Sequence, residues 1–203
     1  MRVLIGCEES QKVCQAFRLA GHNAYSCDLK ATRGNPRYHY QQDIMEVIMD
    51  GKWDLIILHP DCTAMAVSGN RHYAKGTPGY DKRLWSIAWT KKLWIRATRV
   101  CDQVVLENPG SVIFPVLRDM GAIVQYIQPH QFGHGETKKT GFALHGVPGL
   151  KPTDEVEGRE NRIWKMAPGP NRKRDRSETY PGIADAMADQ WGQFYSHNQL
   201  SLI

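Results

Sequence analysis

DLIILHPDCTAMAVSG, residues 54 to 69, decides how this chain is read. Leu55 to Leu58 form an unbroken apolar run, the pattern of a strand buried on both faces of a parallel sheet. The run stops at His59-Pro60-Asp61-Cys62, and small residues lead on to Gly69. Proline brings no N–H to a ladder, so pairing ends there and the cysteine heads an irregular loop. A free cysteine is most often a small buried hydrophobe. One placed just beyond a strand, after a proline, stands where a nucleophile would be presented.

The same pattern recurs on both sides of this stretch. Val3-Leu4-Ile5 reads as a strand ending at Gly6. A helix should follow, with Ser10 as its cap and Val13, Ala16, Phe17 and Ala20 at helical spacing. Ala24 to Cys27 make a second strand that finishes at Asp28, and Ile44 to Met49 a short helix stopped by Gly51. Residues 63 to 80, rich in Gly, Ser, Asn, Thr and Pro, read as a long loop before a helix from about Asp81 to Val100. Val104 to Leu106 is a buried strand halting at Glu107-Asn108-Pro109. A helix near Phe114 to Met120, strands at Ile123 to Ile127 and Phe142 to Leu144, and a helical stripe from Ile183 to Phe194 complete the alternation. Strands alternating with helices predict an α/β fold with a mostly parallel central sheet. The six tryptophans, Trp85, Trp89 and Trp94 among them, are expected in the core and between helices.

Length and composition narrow the function. At 203 residues the chain is expected to be one domain with a substantial core. A net charge of +5 and a pI near 9.0 favour an anionic partner, nucleic acid first. Five cysteines without a Cys-x-x-Cys pair argue against a disulfide framework and a zinc ribbon, and for a cytoplasmic protein. His59 and Cys62 with His72 nearby lack the paired spacing and fourth ligand of a zinc site, so no metal is expected. GHGETKKT at 133 to 140 lacks the residue order of a phosphate loop. Nothing suggests a signal peptide, a membrane span or an obligate protein partner.

In a parallel α/β sheet, ligands bind beyond the carboxyl ends of the strands. Gly6 there lets the backbone turn tightly towards a ligand, and an acid such as Asp28 grips a ribose through its hydroxyls. Cys62 and Glu107, on two further strand ends, could flank one small planar substrate. A thiolate that adds to carbon 6 of a pyrimidine, with a carboxyl group hydrogen-bonded at ring nitrogen 3, makes carbon 5 a nucleophile towards a sulfonium methyl donor. That carboxyl group must be partly protonated or closely hydrogen-bonded, which favours a semi-buried Glu.

With these residues in view, the chain resembles the cytosine-5 DNA methyltransferase family, especially its short phage-type members, over residues 3 to 192. VLIGCEES stands where the family has its first strand and adenosylmethionine loop, and Asp28 where it has a ribose-binding acid. QQDIMEV, with Asp43, resembles the segment at the adenine. PDC resembles Pro-Pro-Cys, ENP resembles Glu-Asn-Val, and YPGIADAMADQW looks like the helix closing the cofactor pocket. Gly69 and the DKR at 81 to 83 match a glycine and an Asp-x-Arg of the catalytic loop. The resemblance implies a Rossmann-like class I methyltransferase fold using S-adenosyl-L-methionine. It implies Cys62 and Glu107 as catalytic residues, and Gly6, Cys7, Glu8, Asp28, Asp43 and Pro60 around the cofactor.

The departures are informative too. One glycine stands where the family has a glycine-rich run, and Asp61 replaces the second proline, where a carboxylate would raise the pKa of the neighbouring thiol. The family's Gln-x-Arg-x-Arg segment is not evident; Lys138 and Lys139 occupy that region. No separate recognition domain is present between the later motifs. Only residues 147 to 179, holding Arg159, Arg162, Lys165, Arg172, Lys173, Arg174 and Arg176 around Trp164, could serve as a reduced nucleic-acid-binding element. Asn108, Arg83, Lys138, Lys139, Arg159, Arg162, Lys173 and Arg174 are thus the candidate substrate contacts. Duplex DNA is the expected partner, its target base flipped from the stack. The same chemistry on a nucleotide, a single strand or RNA stays open, as does a non-catalytic DNA- or cofactor-binding role.

Overall fold

The apolar runs become the centre of one seven-stranded sheet. The structure is a computed structural model that describes residues 1–169 and 172–200, excluding the side chains of 164, 173 and 196–200. Along the chain come β1 (Arg2–Gly6), α1 (Lys12–Leu19), β2 (Asn23–Cys27), β3 (His39–Tyr40), α2 (Ile44–Asp50), β4 (Leu55–Leu58), α3 (Asn70–Tyr73) and α4 (Tyr80–Val100). They are followed by β5 (Val104–Pro109), α5 (Ile113–Asp119), β6 (Ile123–Ile127), β7 (Thr140–His145), α6 (Arg162–Lys165), α7 (Arg172–Ser177) and α8 (Pro181–Leu200). The strand order is β3-β2-β1-β4-β5-β7-β6. β3, β2, β1, β4 and β5 pair in parallel, whereas β7 runs antiparallel between β5 and β6.

All four residues of β4 are buried, as a strand covered by helices on both faces requires. Val3, Ile5, Leu55, Ile57 and Val105 face α1 and α8, where Trp191 is fully buried. Leu4, Ile56, Leu58, Val104 and Leu106 face the layer of α2, α4 and α5. Register then sets the working edge. Gly6 pairs with Leu58, and Leu58 with Leu106, so the next residues, Cys7 and His59 just past their strands and Glu107 still within β5, come side by side. Because β7 is antiparallel and pairs Thr140 with Pro109, the residues just before it arrive at that same edge.

Several local expectations change. Ser10 does not cap α1; Gln11 occupies the N-cap without a capping bond, in a left-handed conformation (φ 58°). The chain turns instead at Cys7 (φ 61°), which carries Glu8 under the helix, and its carboxylate accepts from Val13 N (2.7 Å) and Cys14 N (3.2 Å). β5 continues through Glu107 to Pro109 because β7 supplies partners Phe142, Gly141 and Thr140 for its last three residues. The loop at 63 to 80 contains α3. Trp94 is buried as expected, but Trp85 is 66% exposed and stacks on Trp89 along the outer face of α4.

Candidate functional site

Glu107, His59 and Lys138 come together on the α1/α8 side of the sheet. Glu107 on β5 is half-buried, and its Oε2 lies 3.2 Å from Nδ1 of His59, the first residue past β4. The other ring nitrogen of His59 is buried and finds no hydrogen-bond partner among the described residues. Lys138 extends to this place from the approach to β7, its Nζ donating to Glu178 O at 3.0 Å beside the Tyr180 ring. Burial pushes the lysine's pKa down, while Glu107 and Cys62 pull it back up. A small cleft lined by Glu107, Lys138, Thr140, Thr179, Tyr180 and Ile183 opens here, with Met187 below.

Cys62 sits at the head of a turn whose N–H groups from Met65 and Ala66 donate to its own carbonyl. Its thiol pKa is pushed up to about 11, first by burial and then by Glu107 and Asp61, against the opposing pull of Lys138. Asp61 is exposed, and its Oδ1 accepts from Thr63 N at 2.9 Å and from the Thr63 hydroxyl. The carboxylate therefore stabilises the turn after Cys62. The strand end itself is fixed by Asn108, buried to 1%, whose Nδ2 donates to Pro60 O at 3.0 Å. Asn108 thus braces the Pro60-Asp61-Cys62 segment from within.

The neighbouring edge has a different character. Gly6 makes room for packing: a Cβ there would lie 2.6 Å from Ile44 Cδ1 and 2.9 Å from Leu58 Cδ2. Cys7 follows, its thiol pKa raised by burial and then by Asp28, Cys27, Asp43 and Asp61. Three acids thus surround this loop. Asp28 accepts from Lys30 N at 2.9 Å, and Asp43 caps α2 through Met45 N at 2.9 Å. Leu29, beside Asp28, is 74% exposed. Glu8 is 6% exposed, and burial raises its pKa against the lowering effects of His59 and the helix N–H groups. It shapes the loop from below.

Of the expected substrate contacts, only Lys138 joins this cluster. Lys139, one residue on, points to the opposite face, its Nζ 4.1 Å from the centre of the Tyr126 ring. Arg83 is 6% exposed: Nε donates to Ala64 O (2.7 Å), Nη1 to Asn70 Oδ1 (2.9 Å) and Nη2 to Ala66 O (3.4 Å). Its guanidinium lies inside the protein and ties down the loop after Cys62, so it is not presented at a surface. In the basic segment, Arg162 pairs with Glu136 (2.9 Å) and Arg174 with Asp175 (2.8 Å), and Arg159 donates to Val156 O (2.8 Å). Trp164 and Lys173 lie outside the residues whose side chains are described.

Two further residues organise this region. His59 stands in the sequence as part of an incomplete metal-ligand set, and its place on the row of strand ends is the signal that points to the site. Gln11, 1% exposed, bonds Ser26 Oγ, Asn35 O, Tyr38 O and Asn35 N, joining the start of α1 to the chain before β3. These partners lie 15 to 27 residues away, beyond any local pattern.

No family model matches this chain, and no curated protein does. Among solved structures, a methyltransferase of Entamoeba histolytica is similar at 10% identity and a TM-score of 0.51, over 78% of this chain and 57% of that one. The Dnmt2 methyltransferase of S. pombe is similar at 15% identity and a TM-score of 0.48, over 82% of this chain and 54% of that one. The chain therefore spans little more than half the length of these structures. No described helix is long and apolar enough to cross a membrane. Together with the strand order, the first of these likenesses shows that the chain has the Rossmann-like fold of class I methyltransferases, with a mostly parallel seven-stranded sheet.

Proposed function

We propose that the protein transfers a methyl group from S-adenosylmethionine to carbon 5 of cytosine in a nucleic acid, DNA first. The observation that carries this reading is one cleft lined by the Glu107 carboxyl group and the Lys138 ammonium, both within electrostatic reach of the Cys62 thiol. Cys62 is the nucleophile towards ring carbon 6. Glu107 stabilises charge developing at ring nitrogen 3. Lys138 faces both, so it favours the thiolate over the thiol and holds negative charge on the bound pyrimidine.

The acid-rich edge suits the cofactor. S-adenosylmethionine is a cationic sulfonium with ribose hydroxyls, and it supplies the methyl group. Asp28 and Asp43 stand where acids would bind those hydroxyls and the adenosine, the exposed Leu29 offers an apolar face, and the backbone at Gly6 and Cys7 forms the floor. Asn108 and Pro60 keep Cys62 in place relative to this edge.

Residues 1 to 203 are read as one methyltransferase unit, with 147 to 179 as a reduced element for holding nucleic acid. A second reading, the same chemistry on a single strand or RNA, is favoured by one observation. Guanidinium groups of that element, those of Arg159, Arg162 and Arg174, already bond to the protein itself. The test is transfer of labelled methyl from S-adenosylmethionine to duplex DNA, single-stranded DNA, RNA and dCMP, with 5-methylcytosine identified in the product. Label at carbon 5 supports the reading and names the substrate. Cofactor binding without label in any of the four substrates would move the reading to a binding protein.

A further inference from the structure

We propose that His59 and Glu107 act as one unit that holds a single exchangeable proton between Nδ1 and Oε2, and that this proton serves ring nitrogen 3. The inference rests on the cytosine-5 reading and assigns a positioning residue within it. The geometry comes first. His59, the first residue past β4, and Glu107, within the neighbouring parallel strand β5, each follow the paired residues Leu58 and Leu106; their side chains are 12% and 15% exposed, and they meet at 3.2 Å. No carbonyl or backbone N–H intervenes: the imidazole's one hydrogen bond among the described residues is to this carboxyl group.

The charge pattern explains why a partner is needed. The groups around the pair are Glu8 from the β1 loop, Asp61 and Cys62 from the β4 loop, Lys138 before β7, Arg176 of α7, and Glu178 and Tyr180 before α8. Lys138 is the ammonium facing Glu107, and a carboxyl group that is to donate to ring nitrogen 3 must carry a proton, which His59 is placed to supply. Written either as imidazolium and carboxylate or as imidazole and carboxylic acid, the pair has the same proton count and no net charge. When Cys62 Sγ bonds to carbon 6, the C5–C6 π pair moves to C4–C5 and the C4–N3 π pair moves onto nitrogen 3. Nitrogen 3 takes the pair's proton, and the proton lost from the Cys62 thiol replaces it. On elimination the carbon 5 proton leaves to solvent and its bonding pair forms C5–C6 as the Cys62 sulfur departs; the sulfur takes back the pair's proton and nitrogen 3 returns its own to the pair.

The test uses full-length protein carrying ¹⁵N-histidine, as wild type, Glu107→Gln and His59→Asn. His59→Asn identifies the His59 resonances and keeps an amide able to reach Glu107, so a merely structural histidine would be rescued by it. The expected results are a His59 titration that moves on Glu107→Gln, and a His59→Asn kcat lower on the order of 10²-fold. KM for both substrates should stay within about twofold, and the pH–rate profile should change shape. A His59 titration indifferent to Glu107→Gln overturns the proposal, as does a His59→Asn enzyme with wild-type rate and profile. If wild type methylates nothing while His59 still responds to Glu107→Gln, the shared proton stands and the methylation reading falls.

Discussion

Arg83→Met should destabilise the protein and leave its surface charge contacts untouched. The wild-type guanidinium is 6% exposed and donates at 2.7 Å to Ala64 O and at 2.9 Å to Asn70 Oδ1; the third contact, at 3.4 Å, is too long to count heavily. Two charge-assisted bonds are worth roughly 1.5–3 kcal/mol each, and their loss leaves a buried carbonyl without its donor. Removing the ion also removes its desolvation cost, and methionine fills most of the volume. The net loss is therefore about 2–4 kcal/mol. Urea unfolding reads it as a lower midpoint at unchanged slope. Because Arg83 holds the loop that begins at Cys62, the alkylation rate of Cys62 at fixed pH should change as well. A stability change under about 0.5 kcal/mol combined with a large loss of nucleic-acid affinity would refute this reasoning and make Arg83 a surface contact.

The thiol environment makes a pH prediction. With the Cys62 pKa pushed up to about 11, the protein without substrate should show alkylation of Cys62 rising about tenfold per pH unit from pH 7 to 10, without a plateau. Asp61→Asn and Glu107→Gln each remove a negative charge facing the thiol, so both should speed alkylation at pH 8, while Lys138→Met should slow it. Gly6→Ala forces a methyl to within 2.6 Å of Ile44 and should cost about 1–3 kcal/mol in unfolding measurements. Trp94→Ala, at 2% exposure, should cost about 3–5 kcal/mol, whereas Trp85→Ala should stay within about 1 kcal/mol. Comparable costs at the two tryptophans would contradict the packing of α4.

The centre of the fold was legible because its strands are buried on both faces. Val3 to Ile5, Leu55 to Leu58 and Val104 to Leu106 are apolar runs that only a covered parallel sheet explains, and all three became adjacent strands. What the pattern concealed depends on partners distant in the chain. Two-residue β3 exists through its pairing with Ser26 and Cys27, and β5 is lengthened by β7. Glu8 looked like part of a ligand loop, yet the turn at Cys7 places it beneath α1. Arg83 and Trp85 show why residue type was a poor guide on α4. The helix buries an arginine against the loop after Cys62 and leaves a tryptophan outside, and residue type alone predicts the reverse. At the site, the strand ends named Cys62 and Glu107, but only the register of β4 against β5 brought His59 to the carboxyl group.

The most direct test of the central claim is covalent trapping. An oligonucleotide containing 5-fluorocytosine cannot release fluorine as a cation, so a cysteine adduct formed at carbon 6 survives after methyl transfer. The protein would be incubated with this oligonucleotide and S-adenosylmethionine, digested and sequenced by mass spectrometry. The account predicts an oligonucleotide adduct on the peptide bearing Cys62, and none with Cys62→Ser. Methylation of ordinary cytosine by Cys62→Ser, or a trapped adduct on another residue, would contradict it.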